Sequence, residues 1–108
     1  FFTDDEDLAE HLIDASIETD DPLWRMPLYK GYEKNIRAQI ADLTNAPAGG
    51  MAGSITAALF LKRFVDKSTR WVHFDIFGWA PSERPHSPVG GEAQAIRALY
   101  RYLRTNLR

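Results

Sequence analysis

The sequence predicts an α/β fold: a partial three-layer sheet with a βαβ unit and flanking helices. Two observations carry that prediction. Trp71 to Phe77 is a run of aromatic and β-branched residues, the composition of a strand. Gln39 to Leu43 alternates polar and apolar residues, the signature of a half-buried strand, and an apolar helical stretch separates the two. Strand, helix, strand in that order implies parallel pairing through a right-handed crossover. A two-stranded sheet is marginal alone, and parallel sheets are covered on both faces, so such a unit leans on further strands or on other copies of itself.

The first helix is predicted over about 4–18. Thr3-Asp4-Asp5-Glu6 fits a capping box, and Asp4, Asp5, Glu6 and Asp7 suit the positive end of the helix dipole. Leu8, Leu12 and Ala15, with Ala9, Ile13 and Ser16 beside them, form one apolar stripe. Pro22 disfavours helix in the residue before it and ends the element near Asp20. Trp24 to Leu28 reads as an extended, buried connection, and Lys30 to Arg37 as a short helix. Thr44 to Gly50 is a loop by composition.

Ser54 to Val65 is apolar nearly all round, which predicts a helix packed on most of its faces. Ala80 to Gly91 is a proline- and glycine-punctuated loop. Glu92 to about Leu107 is the last helix, with Ile96, Leu99, Tyr100, Leu103 and Leu107 as its buried stripe. The chain opens on Phe1-Phe2 rather than methionine. Either these rings staple the following helix, or the chain is cut from something longer.

Composition excludes several classes. With 44% apolar and 12% aromatic residues, the 108 residues can build a core, and one domain is the natural reading. A net charge of -2 argues against a general nucleic-acid or membrane binder. There is no cysteine, hence no disulfide and no thiolate chemistry. No apolar run is long enough to span a bilayer, and the acidic start is unlike a signal peptide, which points to the cytoplasm.

Five constellations could carry chemistry. His73 and Asp75, two apart on the expected strand, would share a face as metal ligands or as a base with its orienting carboxylate. The plainer reading is a buried polar pair, since a metal site needs three or four ligands and none is near in sequence. His11 and His86 could reach it only through the fold. Asp42 and Asp75 could meet at the carboxyl edge of the sheet, or simply cap neighbouring elements. Gly49-Gly50 precedes a helix but lacks a P-loop lysine, so a turn explains it better than a phosphate cradle; Gly90-Gly91 reads likewise. Arg97, Arg101, Arg104 and Arg108 form a basic stripe that suits a solvated helix face better than a nucleic acid. No Gly-x-Ser-x-Gly nucleophile elbow is present.

Four longer stretches are more specific. Asp21-Pro22-Leu23-Trp24-Arg25-Met26-Pro27-Leu28 follows Ser16-Ile17-Glu18, and Ala41-Asp42-Leu43-Thr44-Asn45 comes next. Ser54-Ile55-Thr56-Ala57-Ala58-Leu59-Phe60-Leu61-Lys62-Arg63-Phe64 precedes Trp71-Val72-His73-Phe74-Asp75-Ile76-Phe77-Gly78. In this order and spacing, from about Leu8 to Leu107, the chain resembles the C-terminal part of the catalytic domain in the M17 (cytosol aminopeptidase) family of leucyl aminopeptidases.

The resemblance implies a metal-dependent hydrolase that removes N-terminal amino acids from peptides, with two divalent ions such as manganese or zinc positioning a water. It implies a cytoplasmic hexamer with no nucleic-acid or membrane partner. The family's metal motif, Asn-Thr-Asp-Ala-Glu-Gly-Arg, and its catalytic lysine and arginine have no match in these residues. The chain alone is therefore expected to bind no metal and to be inactive, with no catalytic residue carried over. What carries over is part of the pocket for the substrate's first side chain, at Ala46, Phe77 and Ala80. Phe77 departs from the family's usual alanine, which puts a preference for leucine in question. The alternative is a non-catalytic α/β module that binds a ligand or a protein.

Overall fold

The computed structural model describes residues 1–37, 42–43, 50–85 and 87–107. Its elements are α1 (Glu6–Glu18), a 3₁₀ helix (Lys30–Ile36), α2 (Gly53–Lys62), β1 (Trp79–Ala80), β2 (Gly90–Gly91) and α3 (Ile96–Asn106). The chain divides into two compact units. The first holds Phe1–Ala9 and Arg25–His73, and the second Glu10–Trp24 and Phe74–Arg108.

Local chemistry sets both ends of α1. The N-cap is Asp5 rather than Thr3: the Leu8 amide donates to Asp5 Oδ1 at 2.9 Å. Thr3 accepts from the Asp5 amide and donates its hydroxyl to the Trp71 carbonyl at 2.7 Å, so its side chain is committed to a distant segment. At the far end Asp20 takes a left-handed conformation, φ 49°. The Asp21 amide donates to the Ser16 carbonyl and the Asp20 amide to that of Ile17, the paired bonds of a Schellman motif. The apolar stripe lies as the periodicity predicts, with Leu8, Ala9, Leu12, Ala15 and Ser16 buried.

In the first unit the core gathers Phe2, Ile36, Ile55, Ala58 and Leu59, with Met26, Leu28, Tyr32, Leu43 and Trp71 packed against it. Residues 24–28 carry no regular structure, as expected; Trp24 is 81% exposed while Met26 and Leu28 are half-buried against the core, so the connection is only partly buried. Polar contacts also hold it. The Met26 amide donates to the Phe1 carbonyl at 2.8 Å, and Arg25 makes a fork-to-fork pair with Glu6 at 2.6 and 2.7 Å. α2 buries Ile55, Thr56, Ala58 and Leu59 but leaves Ala57, Leu61 and Phe64 exposed, so it packs through one face rather than most of its surface. It also stops at Lys62, three residues early. Arg63, Phe64 and Val65 donate to carbonyls three residues back, tightening the last turn.

Of the expected strand over Gln39 to Leu43, Asp42 and Leu43 are described; residues 39–41 lie outside the described residues, and with them the crossover pairing. Leu43 bridges Arg37 in antiparallel sense, and Asp42 is exposed. Trp71 to Phe77 makes one antiparallel bridge, Phe2 with His73, with backbone bonds of 2.9 and 3.0 Å. β-Rich composition describes fit to a pleated, half-buried surface. A ladder also needs a neighbour, and among the described residues Phe2 is that neighbour. The two-stranded ladder lies further on, β1 antiparallel to β2 with Trp79 opposite Gly91 and Ala80 opposite Gly90.

α3 begins at Ile96, four residues later than its composition suggests. Gly90 and Gly91 are held in the ladder, and the Glu92 amide donates to the Gly78 carbonyl. Ala95 then takes a left-handed conformation, φ 69°. The buried carboxylate of Asp21 completes the start, accepting from the amides of Ala95 (3.1 Å), Arg97 (2.9 Å) and Ala98 (3.2 Å). This fixes the helix's rotation: Ala95, Ala98 and Tyr102 are buried. Of the expected stripe, Leu99 is half-buried, whereas Ile96, Tyr100, Leu103 and Leu107 are exposed, so most of it faces away from the buried side.

The acidic start of the chain collects cations. Asp4 pairs with Lys62, Glu6 with Arg25, and Arg70 with both Asp5 and Asp7 at 2.6 Å. The Lys62 hydrogen bond holds the Asp4 carboxyl below its usual range; Arg70 and then the Leu8 amide do so for Asp5, and Arg25 does so for Glu6. A depressed folded pKa contributes stability that is complete above the unfolded value and lost as pH falls through the folded one. The urea midpoint is therefore expected to fall below about pH 4, where unfolded carboxylates titrate. Asp5→Asn should flatten that fall, and added salt should shrink it, because these pairs are exposed. A midpoint that rises on acidification would contradict this.

Candidate functional site

The second unit presents a short aromatic turn. Gly78 has φ 66°, a conformation open to glycine and costly for most other residues, and it lets the chain turn between Phe77 and Trp79. Its amide points to Gln94 Oε1 at 3.4 Å, its carbonyl accepts from Glu92, and Glu92 is paired with Arg84 at 2.6 Å. The β1–β2 ladder follows directly, with Gly90 at φ 140° opposite Ala80. The turn is thus fixed on both sides.

The three expected pocket positions behave differently. Phe77 is 75% exposed, a large apolar ring free to meet a ligand, and Trp79 beside it is half exposed. Ala80 is fully buried and paired with Gly90 in the β1–β2 ladder. Ala46 lies outside the described residues, as does His86. Trp79 was not among the expected contact residues; its signal in the sequence is a second large aromatic two residues after Phe77.

The other constellations give less. His73 is held between rings, 6.0 Å from Phe2 and 6.3 Å from Trp71 centroid to centroid, with Nε2 buried and without a hydrogen-bond partner. Asp75 is exposed in the second unit. Among the described residues no group of three or more histidine, aspartate or glutamate side chains is placed to hold a metal ion. The basic stripe is largely spoken for: Arg97 donates to the Thr19 and Asp20 carbonyls, Arg101 pairs with Glu18, and Arg104 lies over the Tyr100 ring. His11, Asp14, Glu18, Arg101 and Thr105 line a surface cleft between α1 and α3. No described helix is long and apolar enough to cross a membrane.

Together these features define an α/β scaffold that presents an exposed aromatic turn at Phe77 and Trp79. Residues 1–100 match the catalytic domain of the cytosol aminopeptidase family, and the chain belongs to that family, M17. The probable cytosol aminopeptidase of Rickettsia bellii is 41% identical over 108 residues, covering 97% of this chain and 22% of that protein. A crystal structure of the Coxiella burnetii cytosol aminopeptidase superposes with a TM-score of 0.93 at 50% identity, covering 99% of this chain and 23% of that one. The bottromycin maturation enzyme BotP in complex with Mn superposes at 0.84 with 33% identity, covering 96% of this chain and 23% of that one. The fold is accordingly α/β, that of a part of the M17 catalytic domain, and the chain spans about a fifth of the length of the relatives it matches.

Proposed function

We propose that these residues form the C-terminal portion of the catalytic domain of a metal-dependent aminopeptidase, and that they shape the pocket for the first side chain of a peptide substrate. Phe77 and Ala46 border that pocket in this reading, and Ala80 holds the turn on which Phe77 stands. The observation that carries it is the exposed Phe77 ring on a turn pinned by Gln94, Glu92 and the β1–β2 ladder, in a chain that matches the M17 catalytic domain along residues 1–100. Two divalent ions, manganese or zinc, would be held by side chains outside these residues. The intact enzyme would be a cytoplasmic hexamer, as the family resemblance implies, and the 108 residues alone would be inactive.

Pocket volume is the testable consequence. A large ring where a small residue would leave space should narrow the pocket and favour small N-terminal residues over leucine. In a chimera with residues 1–108 in place of the matching part of the Coxiella burnetii enzyme, Phe77→Ala is expected to raise the leucyl-over-alanyl ratio of kcat/KM. A gain of about ten-fold is the scale that apolar pockets give for one or two methylenes. An unchanged ratio in an active chimera would remove Phe77 from the pocket.

A further inference from the structure

The hairpin that carries β1 and β2 doubles back on itself. Trp79 stands opposite Gly91 and Ala80 opposite Gly90, and the Glu92 amide donates to the Gly78 carbonyl at 3.0 Å, so Gly78 and Glu92 continue the same register. Arg84 comes six positions after Gly78. A strand running straight over that length would carry it about 20 Å away, more than its side chain and that of Glu92 span together. Yet the Arg84 guanidinium meets the Glu92 carboxylate at 2.6 Å. The loop therefore folds back toward the base of the hairpin, where Glu92 holds Gly78. Arg84 is itself fixed within the loop by two backbone bonds with Ser87, both 3.0 Å. Glu92 thus joins two parts of the structure: its backbone holds the Gly78 carbonyl, and its side chain holds the loop.

We propose that Arg84 is a positioning residue for the Phe77 turn, and that through Glu92 it sets which first side chain the pocket accepts. This rests on the proposed function in taking Phe77 as a pocket wall. Gly78 is the joint between Phe77 and β1, and its φ of 66° leaves it few restraints of its own, so whatever holds Gly78 sets where the ring stands. Its amide reaches Gln94 Oε1 only at 3.4 Å, so the bond from Glu92 is the firmer restraint. With the Arg84–Glu92 pair intact, the ring stays in place and narrows the pocket. With the pair broken, Gly78 is held less well, the ring yields, and leucine gains on alanine. The Arg84 side chain is 52% exposed, so salt screens the pair and ionic strength becomes a control on selectivity.

Two measurements test this, and the first needs no activity. In the 108-residue chain, hydrogen exchange of the Glu92 amide, read by NMR and corrected for the intrinsic rate of each sequence, is expected to rise about three-fold in Arg84→Gln, the scale an exposed ion pair can shift. Arg63→Gln, which breaks the pair with Glu33 in the first unit, is the control and should leave that rate unchanged. Arg84→Glu combined with Glu92→Arg should return it to the wild-type value. Unchanged exchange in Arg84→Gln would overturn the inference. In the Coxiella burnetii chimera, Arg84→Gln is expected to raise the leucyl-over-alanyl ratio of kcat/KM by about three-fold, and the charge swap to restore it. Adding Arg84→Gln to Phe77→Ala should give no more than Phe77→Ala alone, because both act through one ring. A merely structural loss would lower kcat/KM for both substrates alike and leave their ratio. Additive effects, or a ratio that moves with Phe77→Ala but not with Arg84→Gln, would sink this inference and leave the pocket reading standing. A ratio indifferent to both substitutions sinks the two together.

Discussion

Phe2→Ala is expected to lower the stability of the first unit by about 3–5 kcal/mol, the cost of removing a large ring from a packed core. Phe2 is among the most deeply buried side chains of the chain and packs with Ile36, Ile55, Ala58 and Leu59. Its backbone bonds to His73 survive the substitution, because they involve the amide and carbonyl alone. The loss therefore isolates the ring. Phe2→Leu should cost less, since more of the volume is kept. Urea unfolding followed by tryptophan fluorescence gives both values. A cost below about 1 kcal/mol for the alanine variant would mean the ring is not the centre of this core.

Asp21→Ala is expected to cost about 3 kcal/mol and to reduce helix content, because one buried carboxylate serves the whole start of α3. Three amides, those of Ala95, Arg97 and Ala98, donate to it, and no side chain from the helix's own flank caps it. The negative charge also sits at the positive end of the helix dipole. Asp21→Asn keeps one acceptor oxygen and should fall between wild type and alanine. Asp14→Ala, on the exposed side of α1, is the control and should change stability by less than about 0.5 kcal/mol. Equal effects of Asp21→Ala and Asp14→Ala would remove Asp21 from this role.

These two residues show what could be read in advance. α1 was legible because its causes are local: a stripe of Leu8, Leu12 and Ala15, acids at the start, and Pro22 after the end. Even there the cap moved from Thr3 to Asp5, since a partner 68 residues away takes the Thr3 hydroxyl. α3 failed in a more instructive way. Its hydrophobicity alone nominates Ile96, Leu99, Tyr100, Leu103 and Leu107, but Asp21 and the arginine contacts, all long-range, turn all of these but the half-buried Leu99 outward. Trp71 to Phe77 has the composition of a strand, and composition cannot supply the neighbour that a ladder requires. At the site, the resemblance nominates Phe77, and the structure leaves its ring exposed. That Ala80 is buried and paired with Gly90 depends on the β1–β2 register, which no local pattern of the loop reveals.

The central claim is that this chain lends shape to an aminopeptidase pocket while the metal centre is held elsewhere. The most direct measurement is hydrolysis of leucyl amides by the purified 108-residue chain with manganese or zinc supplied in excess. The account predicts release no faster than in chain-free buffer with either ion. Turnover that scales with chain concentration, stops on chelation and returns when manganese is added back would contradict it.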